Sequence, residues 1–321
     1  MTGIVTADIA GAQMGGAARY AAELRSYLAR TGRQDVDVIG AGRHVNPAWL
    51  LRREMVTPKS GRRIALNNVS FISPGVQRWA MLRNALHFLA DGEAARLDPA
   101  LRTSIRREAA VVRLAARRAD VLIVPCTAMA ERVTGVLPAV RSRIVVRPHP
   151  VSAGPIRVRA REAAILCPVL FAPYKQMDER LTELLDAVDG YGDPAVRVRV
   201  TADRGDLPPA VASSPRLEFL GRIDQRDLDP AWARSRAIYF PTGMESFGYP
   251  LAEARANGQP VIARDTAQNR EIAGSALCGF DPGDPDSLRQ AVTSALTIEV
   301  APDPLPFDPD AHFGWLLGLA G

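Results

Sequence analysis

The chain has 321 residues, 40 of them Lys or Arg and 35 Asp or Glu, for a formal net charge of +5. Its 47% hydrophobic and 23% charged content is that of an ordinary globular protein and excludes a collagenous, disordered or disulfide-scaffold chain. The length exceeds what one core needs and suits two domains of about 150 residues each.

Neither a membrane span nor a signal peptide is expected. No run of eighteen apolar residues occurs, and Met1-Thr2-Gly3-Ile4-Val5 enters directly into a strand. Cys126, Cys167 and Cys278 are dispersed in apolar contexts and read as buried thiols in a reducing cytoplasm. From 1 to 150 there are 23 basic and 11 acidic residues, a net +12; from 151 to 321 there are 17 and 24, a net −7. A basic first half suits an anionic partner such as a membrane surface, a lipid-phosphate carrier or an acidic saccharide. Arginines that merely decorate helix faces would give the same count. Nucleic acid is not expected, since no aromatic residues interleave with the arginines.

Strands alternate with helices along the chain, the pattern of a parallel sheet covered on both faces. A first strand ends at Ile4-Val5-Thr6, and a glycine loop, Gly11 to Gly16, leads into a helix from Ala17 to Ala29 that Gly32 terminates. Val36 to Ile39 is the second strand. Asn67 to Pro74 is turn-rich, and a strand is expected around Trp79-Ala80-Met81-Leu82. A helix from Ser104 to Ala119, a strand over Val121 to Val124, a helix from Thr127 to Gly135 and a strand at Ile144-Val145-Val146 close the first domain, 1–150. Pro148 to Pro155 reads as the hinge.

The second domain, 151–300, repeats the pattern. Strands are expected over Ile165 to Leu170, Val196 to Val200 and Arg216 to Leu220, with Asp178 capping a helix to Val188 and a late helix over Ser287 to Thr297. Ala301 to Phe307 is too rich in Pro and Asp to be a core element. The tail, 301–321, ends in a short helix, His312 to Leu319, that could fold back on the first domain.

The most informative stretch runs from Tyr239 to Arg264. Apolar strands Ala237 to Phe240 and Pro260 to Ala263 enclose Glu245-Ser246-Phe247-Gly248-Tyr249-Pro250-Leu251-Ala252-Glu253. The turn at Phe247-Gly248 opens a helix with Pro250 at its first position, which runs to about Asn257 and stops at Gly258. Glu245 then lies just before a helix N-terminus and Glu253 about one turn inside. Amides at such an end hold an anion while the carboxylates grip hydroxyls beside it. A nucleotide sugar, a diphosphate between two polyols, fits.

This stretch resembles the donor-binding signature of retaining glycosyltransferases of family 4, the glycosyl transferases group 1. The pattern of Glu, Phe-Gly, Pro, a second Glu within a helix and Gly-x-Pro-Val-Ile-Ala is filled by Glu245, Phe247, Gly248, Pro250, Glu253, Gly258, Pro260, Val261, Ile262 and Ala263. The resemblance implies a GT-B fold, α/β with two Rossmann-like domains facing across a cleft. It implies transfer of a sugar from a UDP- or GDP-sugar, with retention, to a glycan, lipid-linked or small-molecule acceptor. Glu245 would face the transferred sugar and Glu253 the ribose. Ser246, Phe247, Gly248, Tyr249 and Leu251 would carry the diphosphate with Lys175, one of two lysines beside 38 arginines. The turn at Gly221, Arg222 and Ile223 would meet the base, and Gly15 and Gly16 would face the donor near the transferred sugar.

Two positions depart from the family pattern. Leu170 stands where an arginine usually pairs with Lys175, leaving Arg222 or the helix dipole to compensate. Arg83 stands where a histidine usually approaches the anomeric carbon, with His87 four residues on. Arg83 could hold a phosphate or acceptor anion but could not act as a base; a helix-start histidine such as His87 is more often a packing residue, and His149 at the hinge reads as structural. The D-x-D pairs at Asp35/Asp37, Asp227/Asp229, Asp284/Asp286 and Asp308/Asp310 lack the pattern of a metal-dependent glycosyltransferase, so no metal or other cofactor is expected. A catalytically degenerate nucleotide-sugar-binding relative and a nucleotide-sugar 2-epimerase stay open as alternatives. The basic first domain, Arg102 to Arg118 above all, predicts a cytoplasmic protein peripheral on the inner face of an anionic membrane.

Overall fold

The computed structural model describes residues 5–59, 61–73, 77–95, 98–152, 161–168, 176–223 and 225–318. Contacts divide the chain into two units. The first comprises Met1–Ser152, Glu245–Phe247 and Pro306–Gly321; the second comprises Ala153–Met244 and Gly248–Leu305.

The first unit is built on six parallel strands, β1 (Val5–Asp8), β2 (Val36–Ile39), β3 (Arg62–Ala65), β4 (Gln77–Met81), β5 (Val121–Val124) and β6 (Ile144–Val146), in the order β2-β1-β3-β4-β5-β6. Its helices are α1 (Gly15–Thr31), α2 (Pro47–Val56), α3 (Asp91–Ala94), α4 (Pro99–Ala116) and α5 (Thr127–Val136). The second unit carries β7 (Glu162–Cys167), β8 (Arg197–Val200), β9 (Leu217–Phe219), β10 (Ser235–Phe240), β11 (Val261–Arg264) and β12 (Leu277–Phe280), all parallel, in the order β12-β11-β10-β7-β8-β9. Helices α6 (Met177–Tyr191), α7 (Pro209–Ala212), α8 (Gln225–Arg234), α9 (Tyr249–Ala256), α10 (Ala267–Ala273) and α11 (Pro285–Thr297) belong to it, and α12 (Pro309–Leu317) belongs to the first. Strands such as Val121-Leu122-Ile123-Val124 are apolar throughout because both faces of a parallel sheet are covered.

Several boundaries differ from those the sequence suggests, each for a local reason. Helix α4 begins at Pro99, not Ser104, because the Asp98 carboxylate accepts from the amides of Ala100 and Leu101 at 2.9 and 3.2 Å. Asp178 lies inside the first turn of α6 and does not cap it; that place belongs to Gln176, at φ 49°. Tyr249 opens α9, so Pro250 is its second residue. Helix α2 and strand β3, unassigned from sequence, both exist. Phe307 is 2% exposed and sits edge-on to Phe247, so the Pro-rich segment does supply a core residue.

The core of the first unit joins β1, α1, β3, β4 and α12: Val5, Tyr20, Leu24, Ile64, Trp79, Met81, Phe313, Leu316 and Leu317 form one buried cluster. Beside it, at the carboxyl end of β1, lies a buried polar network. The Asp8 carboxylate, fully buried, accepts from Arg53 Nη1 at 2.7 Å, Asn67 Nδ2 at 2.7 Å and the Ala10 amide at 3.0 Å. Arg53, 1% exposed, also donates to the carbonyls of Val69 and Ser70 at 2.8 and 2.9 Å and lies 4.4 Å from the Phe71 ring centre. A buried charge survives only when paired and hydrogen-bonded, and both are here. The network fixes the chain immediately before the glycine loop.

Candidate functional site

Counted within its own sheet, the second unit has strand order 3-2-1-4-5-6, and the order reverses between β7 and β10. Ligands of open α/β sheets bind outside the carboxyl ends of the strands at such a reversal. The loop leaving β10, Pro241 to Gly248, is therefore at the ligand-binding edge, and α9 begins where it ends. Lys175 and Leu170, on the connection leaving β7, lie outside the described residues, as do the last three residues of the expected hinge, 153–155.

Gly248 precedes α9 with φ 87° and ψ 75°, and no side chain caps the helix. A Cβ at this position would stand 3.0 Å from Leu251 Cδ1 and 3.1 Å from Phe240 Cε1. Both the backbone angle and the space demand glycine. No acidic residue occupies the first turn, so nothing there opposes an incoming anion. Glu253, 9% exposed, is buried one turn in, and Leu251 is fully buried. Gly221, at φ 74°, Arg222 and Ile223 follow β9. Arg222 is highly exposed and paired with Asp206. Its guanidinium is already neutralised, so the structure does not favour it as the substitute for the arginine missing at Leu170.

A better-placed cation went unnoticed in the sequence. Arg264 ends β11, and its Nε donates to the Pro241 carbonyl at 2.7 Å; a Cβ on Gly243 would lie 2.3 Å from its Nη1. The guanidinium thus lies against the first turn of the signature loop. Burial, with the neighbouring Arg180 cation adding to it, holds the Arg264 pKa below the usual arginine range. The Arg180 side chain pairs with Glu183 at 2.6 Å, and its carbonyl accepts from Tyr239 Oη at 3.0 Å. Glu183 thus already meets the Arg180 charge, and Arg264 is the cation left to face an anion at this loop. The only sequence signal was an arginine closing the Val261-Ile262-Ala263 strand. A cavity of about 230 Å³ in this unit has Glu183, Asp186, Asp281 and Asp284 in its lining against the single cation Arg289, a net negative charge that does not suit a diphosphate.

In the first unit, Gly15 opens α1 at φ 55°, with no side-chain cap, no acidic residue in the first turn and open space where its Cβ would be. Gly16 follows, exposed. The signature residues Glu245 to Phe247 pack with this unit. Ser246 Oγ donates to the Arg83 carbonyl at 2.7 Å, while the Arg83 amide donates to Asn68 Oδ1 at 2.6 Å. Cys126 Sγ lies 3.3 Å from the Ser246 carbonyl, and Phe247 is buried with its ring 4.9 Å from that of His149. Arg83 and Ser246 are thus brought together, and Glu245 is half-buried beside them in sequence. His87 is turned elsewhere. It is 5% exposed, its Nε2 is 3.2 Å from Asn84 Nδ2 and 3.6 Å from Glu108, and burial lowers its pKa. That is the setting of a packing residue in the seam between the turn at Ala85–Phe88 and α4.

Burial raises the Cys167 and Cys278 thiols to about 12 and about 11, which removes them as nucleophiles near neutral pH. Among the described residues, no group of three His, Cys, Asp or Glu is placed to hold a metal ion. Asp284 and Asp308 cap helices, and Asp35 pairs with Arg33. No helix of the described residues is long and apolar enough to cross a membrane.

Residues 169–297 match the family model of glycosyl transferases group 1. The match takes in about two fifths of the chain. The chain is 30% identical over 80 residues to the O-antigen chain mannosyltransferase B of Escherichia coli, covering 25% of this chain and 21% of that protein. It is 36% identical over 83 residues to the serotype-specific mannosyltransferase WbdA of the same organism, covering 26% and 10%. The matched stretches thus span about a fifth and a tenth of these curated relatives. Among solved structures, HepE of Anabaena, in complex with UDP and glucose, superposes with a TM-score of 0.62 over 91% of this chain and 89% of its own at 15% identity. The shared fold is that of the GT-B glycosyltransferases, with two parallel α/β units.

Proposed function

We propose that the protein is a retaining, metal-independent glycosyltransferase that moves a sugar from a UDP- or GDP-sugar to a glycan, lipid-linked or small-molecule acceptor. The observation that carries this reading is the start of α9, a glycine-gated helix end without acidic residues at the ligand-binding edge of its sheet, with buried Glu253 one turn in. Amides at Phe247, Gly248 and Tyr249, with Lys175 and the Arg264 cation, stabilise the charge that grows on the diphosphate as the glycosidic bond breaks. Glu253 accepts from the ribose hydroxyls, and the turn from Gly221 to Ile223 meets the base. Glu245 holds the transferred sugar's hydroxyls and offsets the positive charge of the oxocarbenium-like state. Gly15 and Gly16 serve the transferred sugar. The mannosyltransferase relatives, one of them named for the O-antigen chain, support a sugar nucleotide as donor and a growing polysaccharide as acceptor.

Leu170, in place of an arginine, favours a second reading, a donor-binding protein without transfer. Nucleotide release from a panel of UDP-, GDP- and dTDP-sugars separates the two. Release with one donor, abolished by Glu245→Ala while nucleotide binding stays within a few fold, supports transfer; binding without release supports the second reading. Release that needs no acceptor and leaves an epimerised sugar points to a 2-epimerase. Glu253→Ala should weaken nucleotide binding by about 1.5–3 kcal/mol, and unaltered affinity in calorimetry would make Glu253 a structural residue.

A further inference from the structure

A cavity of about 350 Å³ opens in the first unit between the turn at Ala85–Phe88, α3 and α4. Its walls are Leu86, Leu89, Ala94, Ala95, Ile105, Ala109 and Ala110, joined by Arg102, Arg106 and Arg113, and none of the lining residues is acidic. The volume falls at the lower end of the range for ligand sites, about 300–1,000 Å³. Spacing explains the composition. Residues 102, 105, 106, 109, 110 and 113 recur at three and four along α4 and so form one stripe of the helix.

Two details say what such a site would take. Arg102 Nε is buried and finds no hydrogen-bond partner among the described residues, a cost that a bound anion would remove. Arg106 is exposed beside it, and Arg113 is fixed by donation of its Nε to the His87 carbonyl at 2.8 Å. Farther along α4, Val111 and Leu114 are 48% and 60% exposed, with Arg107, Arg117 and Arg118 exposed around them. Apolar walls, a cationic rim and an apolar surface on the same helix match an amphiphile with an anionic head.

We propose that this cavity binds the phosphate head and first methylenes of a phosphate ester carried on an apolar chain. Arg102 and Arg106 meet the phosphate, and the alanine and leucine walls meet the chain. The site lies wholly within the first unit and is read by binding alone, so it stands or falls apart from the transfer reaction.

Calorimetric titration of the full chain with octyl phosphate, inorganic phosphate and octanol tests it. Saturable one-to-one binding of octyl phosphate is expected, with each half-ligand at least about tenfold weaker because each lacks one kind of contact. Arg102→Gln with Arg106→Gln should weaken octyl phosphate about tenfold or more. Ala110→Trp, at an exposed wall position, should block binding while the melting temperature holds. Competition by vesicles of phosphatidylglycerol, absent with phosphatidylcholine vesicles, would identify a membrane lipid as the source; no competition would identify a dispersed phosphate ester. Inorganic phosphate binding as tightly as octyl phosphate, or undiminished binding in folded Ala110→Trp, overturns the proposal.

Discussion

Replacing Arg53 with methionine removes the cation from the most deeply buried ion pair of the first unit. Asp8 keeps Asn67 and the Ala10 amide but loses its counter-charge, and the carbonyls of Val69 and Ser70 lose their donor. Breaking one side of a buried pair costs about 3–5 kcal/mol, and an orphaned buried acceptor about 1–3 kcal/mol more. Methionine fills most of the vacated space, so a net loss of roughly 4–6 kcal/mol is expected, a large share of a typical domain's stability. Urea unfolding followed by tryptophan fluorescence reports it, because Trp49 Nε1 itself lies 3.3 Å from the Asp8 carboxylate. Adding Asp8→Asn removes the stranded charge and should recover part of the loss. A cost below about 1 kcal/mol, or a double variant no better than Arg53→Met alone, would refute the account of the network as a paired buried charge.

Gly248→Ala should lower the melting temperature and weaken nucleotide binding together, since the left-handed backbone costs a Cβ-bearing residue about 1–2 kcal/mol before its contacts with Leu251 and Phe240 are relieved. Equal affinity and stability in differential scanning fluorimetry and calorimetry would show that the helix start tolerates a side chain. Burial, aided by the Arg147 cation, lowers His312 to about 3, and Tyr20 Oη shares a hydrogen bond with its Nε2 at 2.7 Å. A folded-state pKa below the unfolded value means that the unfolded chain binds the extra proton. His312 therefore supports the fold fully above about pH 6.5 and less as pH falls toward 3, by up to about 1.4 kcal/mol per pH unit. His312→Phe should flatten that part of the pH–stability curve, whereas an unchanged slope in acid titration would exclude this histidine as its source.

The signature loop was legible because its logic is local. Strand, turn glycine, helix and stop follow one another within 26 residues, and each is a backbone preference of its own residue types. The Asp8 network was illegible for the opposite reason. Its members at 8, 53, 67, 69 and 70 meet only in the fold, and arginine on an amphipathic helix ordinarily means solvent. Arg264 escaped notice in the same way, for nothing in Val-Ile-Ala-Arg tells whether the last side chain turns to water or under a neighbouring loop. The start of α4 is written locally too, for Asp98-Pro99 carries both a cap and a first-turn proline.

The interleaving of the units along the chain has a consequence for biosynthesis. Phe313, Leu316 and Leu317 belong to the same buried cluster as Val5, Tyr20 and Trp79, yet the ribosome delivers them after the whole second unit. At about 5–20 residues per second, the apolar surface prepared on α1 and β4 waits on the order of ten seconds or more for its last layer. A nascent first unit is thus the species most exposed to holdase chaperones, and the second unit, whose strands all emerge earlier, is the one able to finish first.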